Sequence, residues 1–310
     1  MKVIFMGTPD FAVGALDAIV EAGHEVVLVV TQEDKPKGRG KEIQFTPVKE
    51  AAIKHGIEVY QPHRVKHEEP VAKLREYNAD VFVVAAYGQI LSKELLDMPK
   101  YGCVNIHASL LPKYRGAAPI QWSIIDGEKV TGVTTQMMAE GIDTGDILDV
   151  IEVEIDKEET GGSLFDKLTV AGSEVILTTL KKLEEGTVTR TPQDHSKSTY
   201  AKMLDKKMGN IDFEKSAEEI ERLIRGLNPW PSAYTAYNGK TLKIWKAEVM
   251  DKDYDGSYGQ IVDKTKKAII IKTGKGALAI TELQLEGKKR MTTEAFLCGV
   301  GFDLGEILGK

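Results

Sequence analysis

The stretch CVNIHASLLPKYRGAAP places a carboxamide, Asn105, and an imidazole, His107, two residues apart. On an extended strand, residues i and i+2 face the same way, so an amide donor and a proton-carrying ring converge on one spot. Further along, MMAEGIDTGDIL sets Asp143 between Gly141 and Gly145, where the backbone must turn sharply. A carboxylate on such a turn can reach an imidazole and orient it, which gives a set suited to general acid–base work. Taken singly, Asp143 also reads as a turn residue and His107 as a hydrogen-bonded core histidine. Ser109, two positions on, adds a hydroxyl.

The flanking sequence says what must position these groups. MKVIFMG reads as a buried strand ending at Gly7, FAVGALDAIVEAGH as an amphipathic helix and EVVLVVT as a second strand; IKHGIEVYQP and VAKLREYNADVFVVAAYG continue the alternation. Strands alternating with helices predict an α/β domain with a mostly parallel sheet covered on both faces. Such sheets bind ligands outside the carboxyl ends of their strands, where NIH would lie. The first strand-to-helix turn, GTPDFA, lacks the further glycines of a dinucleotide fingerprint, and no GxxxxGK[ST] occurs. Asp10 there suits the positive end of a helix dipole.

SLFDKLTVAGSEVILTTLKKLEEG spaces Leu164, Leu168, Val175, Leu180 and Leu183 as one helix face, closing a first domain at 1–189. TVTRTPQDHSKST has no periodicity and reads as the core of a linker at 190–205. From 206 to 310 a second domain follows. Its helix opens on the capping box Ser216–Glu219, and its strands include a hairpin turned at Asn238-Gly239. Five or six short strands in so little chain predict a small barrel or sandwich.

Composition narrows the class. Hydrophobic residues make up 42% of the 310 and charged residues 28%, ordinary for a soluble protein, and no apolar run approaches a membrane span. Asp10 and Asp17 interrupt the first apolar run and no cleavage site follows, so secretion is not expected. Cys103 and Cys298 fit no metal spacing and predict two unlinked buried thiols in a reducing cytoplasm; the six scattered histidines give no ligand pair, so no metal is expected. The net charge is −6, but residues 201–310 carry 19 Lys+Arg against 16 Asp+Glu, while residues 1–200 carry 22 against 31. Such asymmetry hints at a polyanion partner. QEDKPKGRGKEIQFTPVK, broken by Pro36, Gly38 and Gly40, predicts a mobile basic loop with Lys35, Lys37, Arg39 and Lys41. Alone, it reads as readily as a solvated charge cluster.

NIHASLLPKYRGAAPIQWSIIDGE together with GIDTGDIL resembles the 10-formyltetrahydrofolate-dependent formyltransferases, whose Asn, His and Asp fall on Asn105, His107 and Asp143 without gap or substitution. GTPDFA, DKPKGRGK, AAYGQIL and NPWP extend the resemblance over nearly the whole chain. It implies a Rossmann-like N-terminal domain, an OB-like C-terminal domain and 10-formyltetrahydrofolate as co-substrate. The folate would lie beside Ser109, Leu110, Leu111 and Pro112. Its pterin would meet the backbone of Tyr87, Gly88, Gln89, Ile90 and Leu91 and the turn carrying Glu140, Gly141 and Ile142.

The basic loop and the appended domain narrow the implied acceptor to the α-amine of methionyl-initiator tRNA. Lys35, Lys37, Arg39 and Lys41 would then meet phosphates, with Lys206, Lys207, Lys246 and Lys266 as further candidates. Lys113 and Arg115 could serve the folate tail or the tRNA end. Two rival readings remain: formyl transfer to a small amine such as a glycinamide nucleotide or amino sugar, and a folate- or RNA-binding protein without turnover. A monomer is expected.

Overall fold

A strand covered on both faces shows no alternation of polar and apolar residues. Lys2–Gly7 (β1) is such a strand, with Val3 to Met6 fully buried. The computed structural model describes residues 1–37, 42–299 and 301–309, with Lys37 and Glu42 described by their backbone alone. The chain divides into two compact units. The first comprises residues 1–119, 130–154 and 165–201, and the second 120–129, 155–164 and 202–310.

The first unit is built on a sheet of seven strands among the described residues. After β1 come Glu25–Val30 (β2), Val59–Tyr60 (β3), Val81–Ala85 (β4), Cys103–His107 (β5), Val130–Met137 (β6) and Ile147–Glu154 (β7). Their order is β7-β6-β5-β4-β1-β2-β3. The five strands from β3 to β5 in that order are parallel, as expected. The chain runs outward from β1 in one direction through β2 and β3, then returns to its other side with β4 and β5. That reversal makes a switch point between β1 and β4, beside the carboxyl end of β5.

The pair β6 and β7 extends the sheet antiparallel beyond β5 and departs from the expected regular alternation. In TGVTTQM the face shared with Asn105 and His107 carries a hydroxyl, Thr134, and an amide, Gln136, so the run lacks the Val/Ile signature of the other inner strands. Helix Gly161–Glu185 buries Leu164, Leu168, Val175, Leu180 and Leu183. Gly172 lets this helix approach so closely that a Cβ there would lie 3.3 Å from Ile106 Cγ2. Ile106 thus anchors one face of β5, and Asn105 and His107 turn to the other.

The second unit carries an antiparallel six-stranded sheet of described residues, formed by Ala233–Tyr237, Lys240–Met250, Ile261–Lys264, Ile269–Lys272, Ala277–Leu285 and Met291–Thr292. Asn238 and Gly239 both take positive φ, 48° and 71°, the conformation a two-residue hairpin needs to match strand twist. The capping box forms: Ser216 Oγ accepts from the Glu219 amide, and the Glu219 carboxylate accepts from the Ser216 amide. Ile244, Ile269, Leu278 and Phe302 lie in this unit's core.

Two expectations need correction. The basic segment is not irregular throughout, because Lys35–Lys37 pairs antiparallel with Glu42–Gln44. Pro36 is tolerated opposite Ile43 since a two-stranded ribbon leaves positions that need no N–H from it. Arg39 and Lys41 lie outside the described residues. Cys103 is buried against the Leu95 carbonyl, and burial pushes its thiol pKa up, but Cys298 is exposed rather than buried. No helix among the described residues is long and apolar enough to cross a membrane.

Candidate active site

Asn105 and His107 end β5 between two partners: Val84 of β4 pairs with Asn105, and Gln136 and Thr134 of β6 face Asn105 and His107. Their side chains meet at Asp143. Asn105 Nδ2 donates to Asp143 Oδ1 at 3.4 Å, and His107 Nδ1 stands 3.6 Å from Oδ2. The three residues expected to work together from two distant motifs therefore converge on one carboxylate.

That carboxylate is held from several directions. Gln136 Nε2 donates to Oδ1 at 2.9 Å, and the Gly116 amide donates to Oδ2 at 2.9 Å. Asp143 itself takes a positive φ of 52°, which costs a non-glycine residue about 1 kcal/mol and persists only where neighbours enforce it. Gly145 allows the turn to close, since a Cβ there would fall 1.7 Å from the Met137 carbonyl oxygen. Gln136 Oε1 accepts from the Gly145 amide, so one side chain grips both ends of the turn.

The other grip comes from the segment expected to link the two domains. Gln193 is buried, 7% exposed, and its Nε2 donates to the carbonyls of Asp143 at 2.9 Å and Gly145 at 2.7 Å. Its Oε1 accepts from Arg115 Nε at 3.1 Å and Nη2 at 2.6 Å, and Nη2 also donates to His195 Nδ1 at 3.1 Å. Arg115 is buried and committed to this contact; its guanidinium braces the Asp143 turn. Lys113 is exposed. Gln136 and Gln193 escape sequence reading because neither belongs to a motif of titratable groups. The one hint in the sequence is an amide at the carboxyl end of β6, opposite Asn105.

His107 is oriented by backbone. Its Nε2 lies 2.8 Å from the Tyr114 carbonyl oxygen, and a carbonyl only accepts, so Nε2 carries the proton. The nitrogen free to gain or lose a proton is then Nδ1, which faces Asp143. Tyr114, at φ 57°, is fixed by its amide donating to Thr199 Oγ1 at 2.8 Å. Ser109 is fully buried and its hydroxyl donates to the Lys113 carbonyl at 2.7 Å, closing the turn between His107 and Tyr114. Leu111 is buried, with its amide donating to Thr134 Oγ1, while Leu110 and Pro112 are half-buried.

The segments expected to meet a flat ring are neighbours: Tyr87 and Leu91 share a core cluster against which Met138 packs. Tyr87 is buried, with its carbonyl accepting from Thr8 Oγ1 and Gln32 Nε2, and its hydroxyl pKa pushed up by burial. The Gln89 side chain binds the backbone of Val65 and Pro62. Ile90, 71% exposed, and Ile142, 58% exposed, present apolar surface at the sheet's carboxyl edge, and Gly88, Glu140 and Gly141 are exposed beside them. Apolar walls flanking accessible backbone amides and carbonyls fit a flat, polar-edged heterocycle. Lys35 is exposed, as are Lys206, Lys207 and Lys266; Lys246 pairs with Glu158 at 2.7 Å.

Chemically, Asn105 has two amide hydrogens and directs one to Asp143, leaving the other for an oxygen that gains charge. Beside it stand an imidazole with one nitrogen, Nδ1, free to take up and release a proton, and a rigidly held carboxylate. The set suits collapse and formation of a tetrahedral centre at a carbonyl carbon.

The family model described as formyl transferase matches residues 1–180, and the one described as formyl transferase, C-terminal domain, matches 203–301. Methionyl-tRNA formyltransferase of Agathobacter rectalis is 58% identical over 307 residues, covering 99% of each chain. That of Clostridioides difficile is 50% identical over 309 residues and covers 100% of each. Among solved structures, the N-formyltransferase from Helicobacter canadensis, in complex with folinic acid and dTDP-3-aminofucose, has a TM-score of 0.68 at 20% identity, over 94% of this chain and 100% of that one. HypX from Aquifex aeolicus, in complex with tetrahydrofolic acid, gives 0.63 at 18%, over 96% of this chain and 47% of that one. At those identities the likeness is one of fold.

Proposed function

The chain belongs to the formyl transferase family, and from that premise we propose that it transfers a formyl group from 10-formyltetrahydrofolate to the free α-amine of methionyl-initiator tRNA. The observation that carries this reading is the full-length identity of 47–58% to relatives named for that reaction. The convergence of Asn105, His107 and Asp143 supports it independently.

An α-amino group has a pKa of about 7.7–8.0, so a useful fraction is already neutral near pH 7 and needs no strong base. It attacks the formyl carbon, and the carbonyl oxygen becomes an oxyanion that takes the second amide hydrogen of Asn105. The new C–N bond leaves a proton to be removed, and the folate nitrogen needs one as it departs. Asp143 receives the amine proton, directly or through water, and passes it to Nδ1 of His107, which delivers it to the folate nitrogen as the tetrahedral centre collapses and the old C–N bond breaks. Tyr114, by holding Nε2–H, keeps Nδ1 as the only nitrogen of the ring that exchanges.

Leu110, Leu111 and Pro112 would line the donor's path, with Ser109 fixing their turn. The pterin would lie between the backbone of Tyr87–Leu91 and the turn of Glu140, Gly141 and Ile142. Lys35 and Lys37, with Arg39 and Lys41, would follow tRNA phosphates. Residues 1–189 would form the catalytic domain, with the linker 190–205 packed onto it as far as Ala201, and 206–310 an OB-like tRNA-binding domain. The enzyme would act as a cytoplasmic monomer without a metal.

The deciding experiment incubates the protein with 10-formyltetrahydrofolate and initiator Met-tRNA, elongator Met-tRNA or small amines, and follows formyl transfer. Transfer to initiator Met-tRNA is expected. Transfer to a small amine alone would overturn the reading.

A further inference from the structure

Tyr200 is 59% exposed, yet its position is tightly fixed. Tyr200–Ala201 pairs in parallel with Arg115–Gly116. The Arg115 amide donates to the Thr199 carbonyl and the Ala117 amide to the Ala201 carbonyl, each at 2.9 Å, bracketing Tyr200 on both sides. The ring lies directly on Gly116: a Cβ there would fall 2.7 Å from Tyr200 Cε2 and 2.8 Å from the Ala201 carbonyl oxygen. With φ at 106°, Gly116 occupies a conformation that side chains rarely adopt, so nothing but glycine leaves room for the ring. The amide of this same Gly116 holds the Asp143 carboxylate. An exposed aromatic face is thus built one residue from the reacting groups.

We propose that the Tyr200 ring, seated on Gly116 beside Asp143, is a stacking platform for the 3′-terminal nucleobase of the aminoacyl-tRNA acceptor. The inference rests on the proposed formyl transfer to an aminoacyl ester. In that substrate only the ester linkage and one ribose separate the amine from the terminal base, so an amine delivered to Asp143 brings the base to the rim. The flat face, free of specific donors, suits a base held by its π-surface. In sequence, Lys197 and Lys202 flank the tyrosine and both are exposed, Lys197 with its Nζ 3.5 Å from Asp194 Oδ2; exposed lysines accompany stacking on nucleic-acid strands. Stacking would orient the amine rather than take part in bond making.

The test uses initiator tRNA with 2-aminopurine in place of its terminal adenine. Binding to the wild-type protein is expected to change the probe's fluorescence, Tyr200→Phe and Tyr200→Trp to retain the change, and Tyr200→Ala to abolish it. With Met-tRNA, Tyr200→Ala should lower kcat/KM by about tenfold or more, mainly through KM, and the aromatic variants should stay within about threefold. A fluorescence change that survives Tyr200→Ala overturns the proposal, as does a Trp variant as impaired as Ala. A kinetic loss that also depends on the esterified amino acid, with no probe change, would assign the ring to the methionine side chain instead. If wild-type protein transfers no formyl group to Met-tRNA, the catalytic reading fails, while the fluorescence arm still decides the platform.

Discussion

Gln193→Leu removes the side chain that ties the Asp143 turn to Arg115 while preserving bulk. The substitution deletes donors to the Asp143 and Gly145 carbonyls, two neutral bonds of about 1 kcal/mol each. It also takes a shared acceptor from a buried guanidinium, a charged interaction of roughly 1.5–3 kcal/mol. The total, about 3–5 kcal/mol, corresponds to a fall in Tm of roughly 6–20 °C if the unit unfolds cooperatively. Catalysis should suffer separately. With its carbonyl released, Asp143 loses part of what enforces its positive φ, and a displacement of about 1 Å near a reacting centre costs on the order of a hundredfold.

The assay is steady-state formyl transfer at saturating folate alongside thermal unfolding, with Gln193→Glu as the second variant. A carboxylate at position 193 still accepts from Arg115, but it turns an oxygen toward two carbonyl oxygens that need a donor. Stability should therefore recover only in part in Gln193→Glu, through the Arg115 contact, while kcat stays low. If Gln193→Leu keeps kcat within about threefold of wild type, or if Gln193→Glu restores kcat in full, Gln193 does not position Asp143.

His107→Ala should lower kcat by about a hundred- to ten-thousandfold and Asn105→Ala by about a hundred- to a thousandfold, with folate binding, measured by fluorescence titration, little changed; near-normal turnover in either would mean the roles are misassigned. Replacing Lys35, Lys37, Arg39 and Lys41 with Ala should reduce the slope of log affinity for tRNA against log salt by roughly one for each phosphate no longer neutralised, and an unchanged slope would remove that segment from the interface. Under native conditions iodoacetamide followed by mass spectrometry should modify Cys298 but not Cys103, whose thiol is buried and whose pKa is raised; denaturant should expose both. Comparable native labelling of the two would contradict the packing at the end of helix Lys93–Leu96.

What the sequence disclosed followed from how local each signal was. Hydrophobic runs such as KVIFM and VFVVA report burial on both faces through the identity of their own side chains, so the parallel strands were readable one by one. Asn238-Gly239 and Ser216–Glu219 are likewise complete within four residues. The trio needed two motifs, and its recognition rested on types that carry protons or amide hydrogens. Gln136, Gln193 and Arg115 act on Asp143 from positions 7, 50 and 28 residues away in the chain, and nothing in the surrounding composition distinguishes a buried glutamine from a solvated one. Ser109 shows the converse: a hydroxyl amid reactive neighbours suggested chemistry, but its burial and its bond to Lys113 give it a role in turn closure. The basic ribbon was obscured because Pro36 and the glycines are sound signs of interruption, while the pairing that overrides them depends on residues up to nine positions apart.

The hold that Gln193 keeps on Asp143 also bears on modular exchange. The sequence similarity that defines the N-terminal family ends at residue 180, whereas the first compact unit continues to residue 201. A chimera joined at the earlier boundary, to give this chemistry a foreign acceptor module, would inherit Asn105, His107 and Asp143 but neither the glutamine nor the short parallel strand that braces Gly116. Grafts intended to redirect formylation should therefore carry the native chain through Ala201. Fusions made upstream of Gln193 would serve as inactive controls with the trio intact.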